Sequence, residues 1–437
     1  MSLIDDLIEL SQMISKELPE SALEKARLSL LDWMVCGWAG KNEPLAGKLR
    51  QLADQERGVG QSSIIGGGKG PARMAALVNG ATSHALDYDD THFAHVGHLS
   101  VGIYPAALAV AEETGSSASH LIEAFLVGAE AAIRVGVKLG PGHYNRGFHQ
   151  TATAGAFGAT IAAGRLYGLS PMEMRHALGL CATRASGLKC QFGTMGKPYN
   201  AGIAASNAVE CAKLAAFGFT SVEDGLTGPQ GFISTHTDEA SVQDTFIASP
   251  GEKFFFEENK YKLHACCHGT HAMIEALRNS KKVPGNLDLI AAVSLHTNPR
   301  WMKVCNIKAP KTGLEVKFSY AWIAGMILRG DKTDDDGVYT DDLALDPELM
   351  RFSSRFTAVG DEEISDMQAR IDLTLVDGET LNLTHDLDLP QSSLLLKDRL
   401  VTKAITVIGD KGQEIWRHLE HLDTMTAHEI GKMISSG

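Results

Sequence analysis

The stretch with the greatest chemical potential in this sequence places three carboxylates and two imidazoles within residues 84–92. The carboxylates of Asp87, Asp89 and Asp90 repel one another, and any that is shielded from water should have its pKa raised towards a range useful for proton transfer. His95 and His98 follow shortly, and histidine is the residue type used most often to exchange protons near neutral pH. The stretch therefore predicts proton-transfer chemistry. The alternative is an acidic loop whose aspartate caps the next helix.

Two further polar clusters could bind and orient an anion. In residues 143–149, Arg146 offers a two-pronged donor to a carboxylate, while Tyr144 or His149 could transfer protons. Lys197 stands directly before a proline, at the start of a predicted helix. Helix N-termini favour anions, and a lysine there would strengthen that preference. The alternatives are a surface turn for the first cluster and an exposed lysine for the second.

The spacing of the histidines also raises the question of a metal site. Two trios, spaced i, i+3, i+6 and i, i+4, i+7, are His92, His95 and His98, and His264, His268 and His271. Either trio could share one face of a helix. Neither matches HExxH or another zinc motif, and glycines interrupt both segments. The sequence also lacks the glycine-rich motifs that bind nucleotide phosphates. We therefore expect neither a metal nor a nucleotide cofactor.

Composition indicates an ordinary globular protein. The chain has 437 residues, 44% hydrophobic residues and a formal net charge of −13. Its basic residues are scattered, so nucleic acid is an unfavourable partner. No stretch approaches the roughly 20 apolar residues of a membrane-spanning helix, and seven cysteines without CxxC spacing indicate reduced thiols. We expect a cytoplasmic protein that binds neither membranes nor nucleic acid.

Helical periodicity runs from about residue 20 to residue 218, in a segment rich in Ala and Gly. Start signals are a capping-box sequence at Ser21, the Ser170-Pro pair and Ser221. Small residues such as Gly202 should let helices approach closely. The segment from about 396 onwards is also helical and could pack on the first. The helices expected before residue 218 cover residues 20–38, 71–86, 101–113, 118–138, 151–167, 171–187 and 200–217.

After about residue 262, strands are interspersed with helices. Asp377-Gly378 is a hairpin-turn signal between two segments with strand character. The expected strands are 289–297, 369–376 and 380–384, and the expected helices lie near 270–279, 315–329 and 348–358. The sequence therefore predicts a mainly α protein with two domains. These are a large, discontinuous all-helical domain, residues 1–262 and 396–437, and a smaller α+β lid domain, residues 263–395.

Taken in order, these clusters resemble the MmgE/PrpD family over nearly the whole chain. The motifs that carry the resemblance are Ala85-Leu-Asp-Tyr-Asp-Asp-Thr91 with His98-Leu-Ser100, Gly147-Phe-His149, Gly193-Thr-Met-Gly-Lys-Pro198 and Pro310-Lys-Thr-Gly-Leu-Glu-Val-Lys-Phe-Ser319. The family includes 2-methylcitrate dehydratases, cis-aconitate decarboxylases and an iminodisuccinate epimerase. The resemblance implies a homodimer whose active site lies between the two domains and uses neither metal nor nucleotide.

The resemblance also implies site residues. Six positions fall where the decarboxylase branch has active-site residues: Asp87, Thr91, His98, His149, Lys197 and Lys262. Two positions depart from that pattern. Trp322 stands where the decarboxylases and dehydratases have a tyrosine, with Tyr320 two residues earlier, and Cys267 replaces a histidine, with His268 beside it. We include Tyr320 and His268 as candidate substrate-binding residues.

The chemistry shared by the family removes a proton from a carbon next to a carboxylate. The resulting enediolate carries extra negative charge, which cations must stabilise. We expect Lys197, Lys262 and Arg146 to bind the carboxylates of a small di- or tricarboxylate substrate and to supply that stabilisation.

A dehydratase similar to 2-methylcitrate dehydratase is the favoured reaction. His149 or Asp87 would take the α-proton and His98 would protonate the leaving hydroxyl, while Asp87 and Thr91 orient the imidazoles.

Three alternatives remain open. An epimerase similar to iminodisuccinate epimerase would use Tyr144 and Lys197 on opposite faces of the substrate. A cis-aconitate decarboxylase is less favoured. A non-enzymatic carboxylate-binding or scaffold protein is the alternative from another class, and the concentration of titratable groups counts against it.

Overall fold

The computed structural model describes residues 2–238, 254–280 and 285–436. The chain forms two compact units: unit 1 comprises Met1–Tyr261 with Leu400–Gly437, and unit 2 comprises Lys262–Arg399. Helices dominate and the strands are few, so the predicted fold class, mainly α with a smaller α+β part, is confirmed. Among the described residues, no helix has both the length and the apolar character needed to cross a bilayer.

The described residues of the first segment of unit 1 form ten α-helices and one short β-hairpin. The helices are α1 (Leu3–Gln12), α2 (Glu20–Gly40), α3 (Pro44–Glu56), α4 (Ala72–Ser83), α5 (Ser100–Thr114), α6 (Ala118–Arg146), α7 (Gln150–Leu166), α8 (Pro171–Arg184), α9 (Gly196–Ala216) and α10 (Phe232–His236), and the hairpin strands are β1 (Ser62–Ser63) and β2 (Lys69–Gly70). Helix α6 is kinked at Gly140, where the backbone leaves helical geometry before a proline.

Glycines allow the helices of unit 1 to pack closely, as the small-residue pattern predicted. A Cβ atom on Gly158 of α7 would collide with the carbonyl oxygen of Gly128 on α6. A Cβ atom on Gly202 of α9 would collide with the carbonyl oxygen of Leu77 on α4. Since α4, α7 and α9 flank the segments that carry the candidate residues, this close packing fixes where those segments meet.

Unit 2 combines short helices with one four-stranded sheet. Its helices are α11 (His271–Arg278), α12 (Pro299–Met302), α13 (Gly313–Val316), α14 (Tyr320–Arg329), α15 (Asp341–Ala344) and α16 (Pro347–Ser353), and its strands are β3 (Ile290–Thr297), β4 (Phe356–Gly360), β5 (Gln368–Leu375) and β6 (Thr380–Asp386). The strand order is β4-β3-β5-β6, with β3 parallel to β4 and antiparallel to β5. The turn predicted at Asp377-Gly378 joins β5 to β6, with Gly378 at a φ of 92°.

The C-terminal segment returns to helical structure, as expected. It comprises α17 (Ser393–Ile408), α18 (Asp410–Leu419) and α19 (Ala427–Ser435), and unit 1 includes this segment from Leu400 onwards. The backbone N–H of Ala118 donates to Met425, and that of Ala427 donates to Ser116. The start of α6 is therefore tied to the segment that precedes α19.

Two helix-start predictions were wrong. The expected breaks between helices near residues 87–100 and 188–199 are present, and the hairpin of β1 and β2 lies in the expected gap between residues 38 and 71. Ser21 does not cap α2, since that helix begins at Glu20, directly after Pro19, and no side chain caps it. Ser221 starts no helix; its hydroxyl donates instead to the carbonyl of His176 at 2.8 Å.

The predicted helix at 348–358 was also too long. Helix α16 ends at Ser353, and Phe356–Gly360 forms β4, which pairs in parallel with β3. In β4, Phe356 and Ala358 are buried while the residues that follow each are exposed. That alternation has the two-residue period of a strand, but a run of five residues is too short for the period to be distinguished from a helix end.

Several buried histidines should make unit 1 sensitive to acid. Burial lowers the pKa of His92 from 6.5 to about 4 and that of His95 to about 3. Each ring bonds a backbone carbonyl, of Phe255 and Ala132 respectively. Between pH 6.5 and about 4 the unfolded chain binds protons that the folded chain does not. The free energy of unfolding is therefore highest above pH 6.5. Below pH 6.5, each of these two histidines lowers it by about 1.4 kcal/mol per pH unit.

We expect the denaturant midpoint to fall between pH 7 and pH 5, as measured by circular dichroism. His92→Gln, whose amide can still donate to the Phe255 carbonyl, should make this dependence shallower. His418→Gln, at an exposed position, should leave it unchanged. A midpoint that does not depend on pH across this range would contradict the prediction.

Candidate active site

The candidate site is built on the loop of residues 84–99, which joins α4 to α5. One of its three carboxylates has a structural role, although it does not occupy the N-cap of α5, which is Leu99. Asp90 is buried and accepts hydrogen bonds from the backbone N–H of Ser100 at 3.1 Å, from the Ser100 hydroxyl at 2.7 Å and from the Asn259 amide at 2.7 Å. Asp90 therefore fixes the start of α5 and leaves Asp87 and Asp89 for chemistry.

The second carboxylate, Asp89, is fully buried between two imidazoles. Its Oδ1 lies 2.8 Å from Nδ1 of His84, and its Oδ2 lies 2.7 Å from Nδ1 of His98. Burial opposes charge on Asp89, but the two imidazoles hold the pKa of this carboxyl well below its usual value. Burial also lowers the pKa of His84 to about 4. Asp89 is thus an ionised carboxylate, and the Nδ1 atoms of both imidazole rings face it.

The third carboxylate, Asp87, joins His98 to an ammonium group. Asp87 Oδ1 lies 2.6 Å from Nζ of Lys197 and 3.5 Å from Nε2 of His98. Lys197 lies in the first turn of α9, which begins at Gly196 and therefore earlier than the sequence indicated. Asp87 itself has a φ of 53°, a left-handed conformation that non-glycine residues rarely adopt. Such a conformation persists only where its surroundings hold it, and it is typical of functional sites.

His149 occupies the N-cap position of α7 and is buried. Its ring centroid lies 6.1 Å from that of His84, and its Nδ1 lies 3.2 Å from the side-chain nitrogen of Asn200. Burial, followed by the charges of His84, Lys197 and His98, lowers the pKa of His149 well below its ordinary value. His149 is therefore a neutral imidazole at physiological pH.

The structure thus brings together four of the five predicted catalytic residues: Asp87, His98, His149 and Lys197. It combines a carboxylate-backed imidazole, a neutral imidazole and an ammonium within one cluster. Such a set can transfer a proton and can stabilise negative charge that develops on a substrate.

The other candidates in unit 1 lie in different surroundings. The Lys189 ammonium lies 3.4 Å from the centre of the Tyr144 ring and donates to the Tyr144 carbonyl. Arg146 is exposed at the end of α6 and pairs with Asp238 at 2.5 Å. Thr91 pairs through its backbone with Lys260, in two hydrogen bonds of 2.8 and 2.9 Å.

Unit 2 holds the remaining candidates. Lys262 is buried, and its charge acts on His271 and Cys305. His268 is also buried, with its ring 4.7 Å from that of His271. Tyr320 at the start of α14 is fully buried; its hydroxyl donates to the Gly269 carbonyl at 2.9 Å, and burial raises its pKa. These bonds support a packing role for Tyr320 within unit 2.

One group of side chains has the donor atoms of a metal site. Among the described residues, the ligand atoms that converge to within 4.8 Å of one another belong to His84, Asp87, Asp89 and His98. Each carboxylate already has a partner, because Asp89 contacts two imidazoles and Asp87 pairs with Lys197. A cation would have to displace the ammonium and break the imidazole contacts. The donor set therefore fits an internal network better than a metal.

The two histidine trios do not form ligand sets of this kind in the described residues. His92 and His95 bond the backbone carbonyls named above. His264 bonds Glu275 at 3.0 Å through Nε2 and Thr333 at 2.8 Å through Nδ1. Residues 91–97 also form turns and isolated bridges, so the first trio does not share a helix face.

A buried ion pair contacts the backbone of the loop of residues 84–99. Lys403 on α17 donates to Asp32 on α2 at 2.6 Å and to the carbonyl of Tyr88 at 2.7 Å. Its ammonium also lies 4.0 Å from the centre of the Tyr88 ring. Burial acts to lower the pKa of Lys403, but the Asp32 carboxylate and other nearby groups raise it overall. The ammonium group of Lys403, in the C-terminal segment, thereby fixes the carbonyl of Tyr88, the residue between Asp87 and Asp89.

Sequence reasoning missed several of these positions. His84 and Asp89 belong to the stretch singled out, yet nothing in their spacing shows that both imidazoles face the same carboxylate. Asn200 and Lys403 occur in no motif and are distant in the sequence from the residues they contact. A lone asparagine or lysine within a helical pattern gives no signal unless its neighbours in space are known.

Comparison with known families covers most of the chain. The model of the MmgE/PrpD N-terminal domain matches residues 10–245, and that of the MmgE/PrpD C-terminal domain matches residues 264–391.

Similar proteins of known name include cis-aconitate decarboxylases. One from Aspergillus terreus is 31% identical over 284 residues, which are 62% of this chain and 58% of that protein. One from Homo sapiens is 25% identical over 276 residues, which are 61% of this chain and 56% of that protein. The matches therefore span less than two thirds of the length of these relatives.

We expect Lys403→Met to lower the free energy of unfolding by about 3–5 kcal/mol, because it leaves the buried Asp32 carboxylate without its counterion. Lys411→Met, at a lysine paired with Glu414, should change it by less than about 1 kcal/mol. Denaturant titration of both variants measures the difference. A Lys403→Met variant as stable as the unmodified protein would disprove this role.

The double variant Asp32→Leu/Lys403→Met separates the ion pair from the contact with the loop. Removing both charges should restore most of the stability. The Tyr88 carbonyl would still lose its charged donor, so the amides of residues 87–90 should exchange hydrogen faster than in the unmodified protein. Exchange at the original rate would show that Lys403 does not hold the loop.

Proposed function

Because the chain belongs to the MmgE/PrpD family, we propose that it is a lyase that transfers a proton at a carbon next to a carboxylate. Its substrate is a small di- or tricarboxylate. The observation that carries this proposal is the approach of the His98 imidazole and the Lys197 ammonium to one carboxylate, Asp87. A substrate carboxylate can take over the contact with Lys197, which brings the neighbouring carbon towards His98.

Dehydration of an acid similar to 2-methylcitrate is the favoured reaction. His98 Nε2 takes the proton from the carbon next to the carboxylate, and the electron pair of the C–H bond moves into that carboxylate. Lys197 stabilises the enediolate. The imidazolium of His98 then gives its proton to the hydroxyl on the adjacent carbon, which leaves as water while the double bond forms.

This assignment makes His98 the base, whereas the sequence suggested His149 or Asp87. Burial holds the pKa of His149 well below its ordinary value, which makes the ring a weak base, and the nitrogen that faces Asn200 is already engaged. Asp87 forms an ion pair with Lys197, which weakens it as a base. His98 has a buried carboxylate behind it, the arrangement that supports an imidazole in proton transfer.

Decarboxylation of an acid similar to cis-aconitate is the second candidate, because similar proteins carry that name. The bond to one carboxyl group would break, and its electron pair would remain on carbon as carbon dioxide departs. The His98 imidazolium would then supply the proton that this carbon requires. The same residues therefore serve both reactions.

Epimerisation by Tyr144 and Lys197 has less support. An epimerase needs Lys197 to lose and regain its proton, but loss of that proton would break the ion pair with Asp87. The Tyr144 ring lies beneath the Lys189 ammonium. A homodimer that needs neither a metal nor a nucleotide cofactor remains part of the proposal.

Proton NMR in deuterated water tests the function. Purified, chelator-treated protein is incubated with 2-methylcitrate, citrate, cis-aconitate, malate, tartrate and iminodisuccinate. We expect a hydroxy acid to give an alkene product. If the protein is a decarboxylase, cis-aconitate should lose carbon dioxide and its product should carry one deuteron from the solvent. Inversion without elimination would instead establish an epimerase. If turnover appeared only after a divalent metal was added, the cluster around Asp89 would be a metal site and the cofactor-free proposal would be wrong.

Lys197→Met should reduce kcat/KM by about a hundredfold or more, because the variant loses the charge that stabilises the enediolate. Lys213→Met is a matched control. Lys213 lies on the same helix and also pairs with a carboxylate, Glu113, but it lies outside the cluster. Its kcat/KM should stay within a factor of two of the unmodified protein. Equal losses of kcat/KM in the two variants would show that Lys197 has no specific role in the mechanism.

A further inference from the structure

We propose that Asp89 and Asn200 fix opposite tautomers of His98 and His149, so that His98 alone exchanges protons with the substrate while His149 remains a neutral Nε2–H donor. This inference rests on the proposed function and adds a division of labour between the two histidines. Asp89 and Asn200 act through the imidazoles and are therefore positioning residues.

The tautomer of His98 follows from the contact with Asp89. Nδ1 of His98 and Oδ2 of Asp89 are buried 2.7 Å apart, in an ion-pair contact that lacks the alignment of a hydrogen bond. An ionised carboxylate has only lone pairs to offer, and a second lone pair on Nδ1 at that distance would be repelled, so Nδ1 carries a hydrogen. In the neutral ring Nε2 then carries the lone pair, and in the charged ring Nε2 carries the transferable proton. Nε2 is also the nitrogen that faces Asp87, so the proton moves on the side of the ring where Lys197 lies.

The tautomer of His149 follows from Asn200, whose amide orientation is fixed by a third group. The side-chain nitrogen of Asn200 lies 3.3 Å from the carbonyl oxygen of Leu188, which can only accept a hydrogen bond. The same nitrogen lies 3.2 Å from Nδ1 of His149. Its two hydrogens serve these two acceptors, so Nδ1 of His149 carries the lone pair. The hydrogen of the neutral ring is therefore on Nε2.

The position of His149 on its helix keeps the ring neutral. It occupies the N-cap of the 17-residue helix α7, where the helix dipole disfavours a cation. Lys197 is a second positive group near the ring. A neutral imidazole that presents an N–H can stabilise charge on an oxygen without giving up its proton. His149 is thus suited to donate a hydrogen bond to the enediolate oxygen, while His98 carries the proton.

The tautomers can be read without a substrate. Two-bond ¹H–¹⁵N correlation spectra of protein labelled with ¹⁵N-histidine distinguish Nδ1–H from Nε2–H rings, and His98→Gln and His149→Gln variants assign the signals. Across the pH range in which each ring is neutral, we expect His98 to show Nδ1–H and His149 to show Nε2–H. The opposite tautomer at either ring in the unmodified protein would overturn the inference.

Asp89→Asn tests the role of the carboxylate. The amide can donate to Nδ1, so His98 should shift to the Nε2–H form and kcat should fall about 10³- to 10⁴-fold, with KM within a few-fold of its original value. Asp90→Asn is the matched control. It should lower the free energy of unfolding, because Asp90 holds the start of α5, but the His98 tautomer should not change. An unchanged His98 spectrum in Asp89→Asn would overturn the role of Asp89.

Asn200→Asp tests the role of Asn200 in fixing the tautomer of His149. A carboxylate at this position would draw a hydrogen to Nδ1 of His149 and would favour the charged ring. We therefore expect kcat to fall at least tenfold and the plot of kcat against pH to show an additional ionisation. Asn200→Leu removes the donor without adding charge, and His149 should then show both tautomers. Asn207→Asp, on the same helix at an asparagine that bonds Arg184, should leave the His149 signals unchanged.

These measurements separate the inference from the proposed function. If no acid in the panel is turned over, the proposed function fails, and the ¹⁵N spectra still decide the tautomers. If the panel shows turnover but Asn200→Leu leaves the His149 tautomer unchanged, the function stands and Asn200 has no positioning role.

Discussion

A carboxylate that has no access to water must be paired, and the burial of Asp89 imposes that requirement on the loop around it. One imidazole contacts each oxygen of Asp89, and the two rings lie 4.6 Å apart between their centroids, so neither ring can turn away without leaving the buried carboxylate short of a partner. The neighbouring carboxylates then have separate tasks. Asp90 holds the start of a helix, and Asp87 faces an ammonium. Three acidic residues within four positions are thus accommodated because each has its own partner.

Rigid packing behind the loop keeps this arrangement in place. Helix α7 approaches α6 at Gly158, and α9 approaches α4 at Gly202, so the two helices that carry His149 and Lys197 have little freedom to shift relative to the loop. Lys403 contributes a charge from the opposite side and fixes the Tyr88 carbonyl. The left-handed conformation of Asp87 is stable in this setting because the residues on both sides of it are constrained.

Much of the fold could be predicted because long helices and the hairpin at Asp377-Gly378 have strong local patterns. Strand β4 could not, because its five residues are too few to show a period. The same distinction applies to the site. Motifs identified Asp87, His98, His149 and Lys197, which the structure brings together. Asn200 and Lys403 were missed because their roles depend on what lies beside them in space, and a single polar residue on a helix has no pattern.

The contact between Lys403 and Tyr88 joins residues that are 315 positions apart in the chain. A ribosome that adds roughly 5–20 residues per second needs about 15 to 60 s to cover that distance. During this interval α2 and the loop have been synthesised, but the cation that neutralises Asp32 has not. The loop can therefore reach its final geometry only late in synthesis, after Lys403 on α17 has been added to the chain.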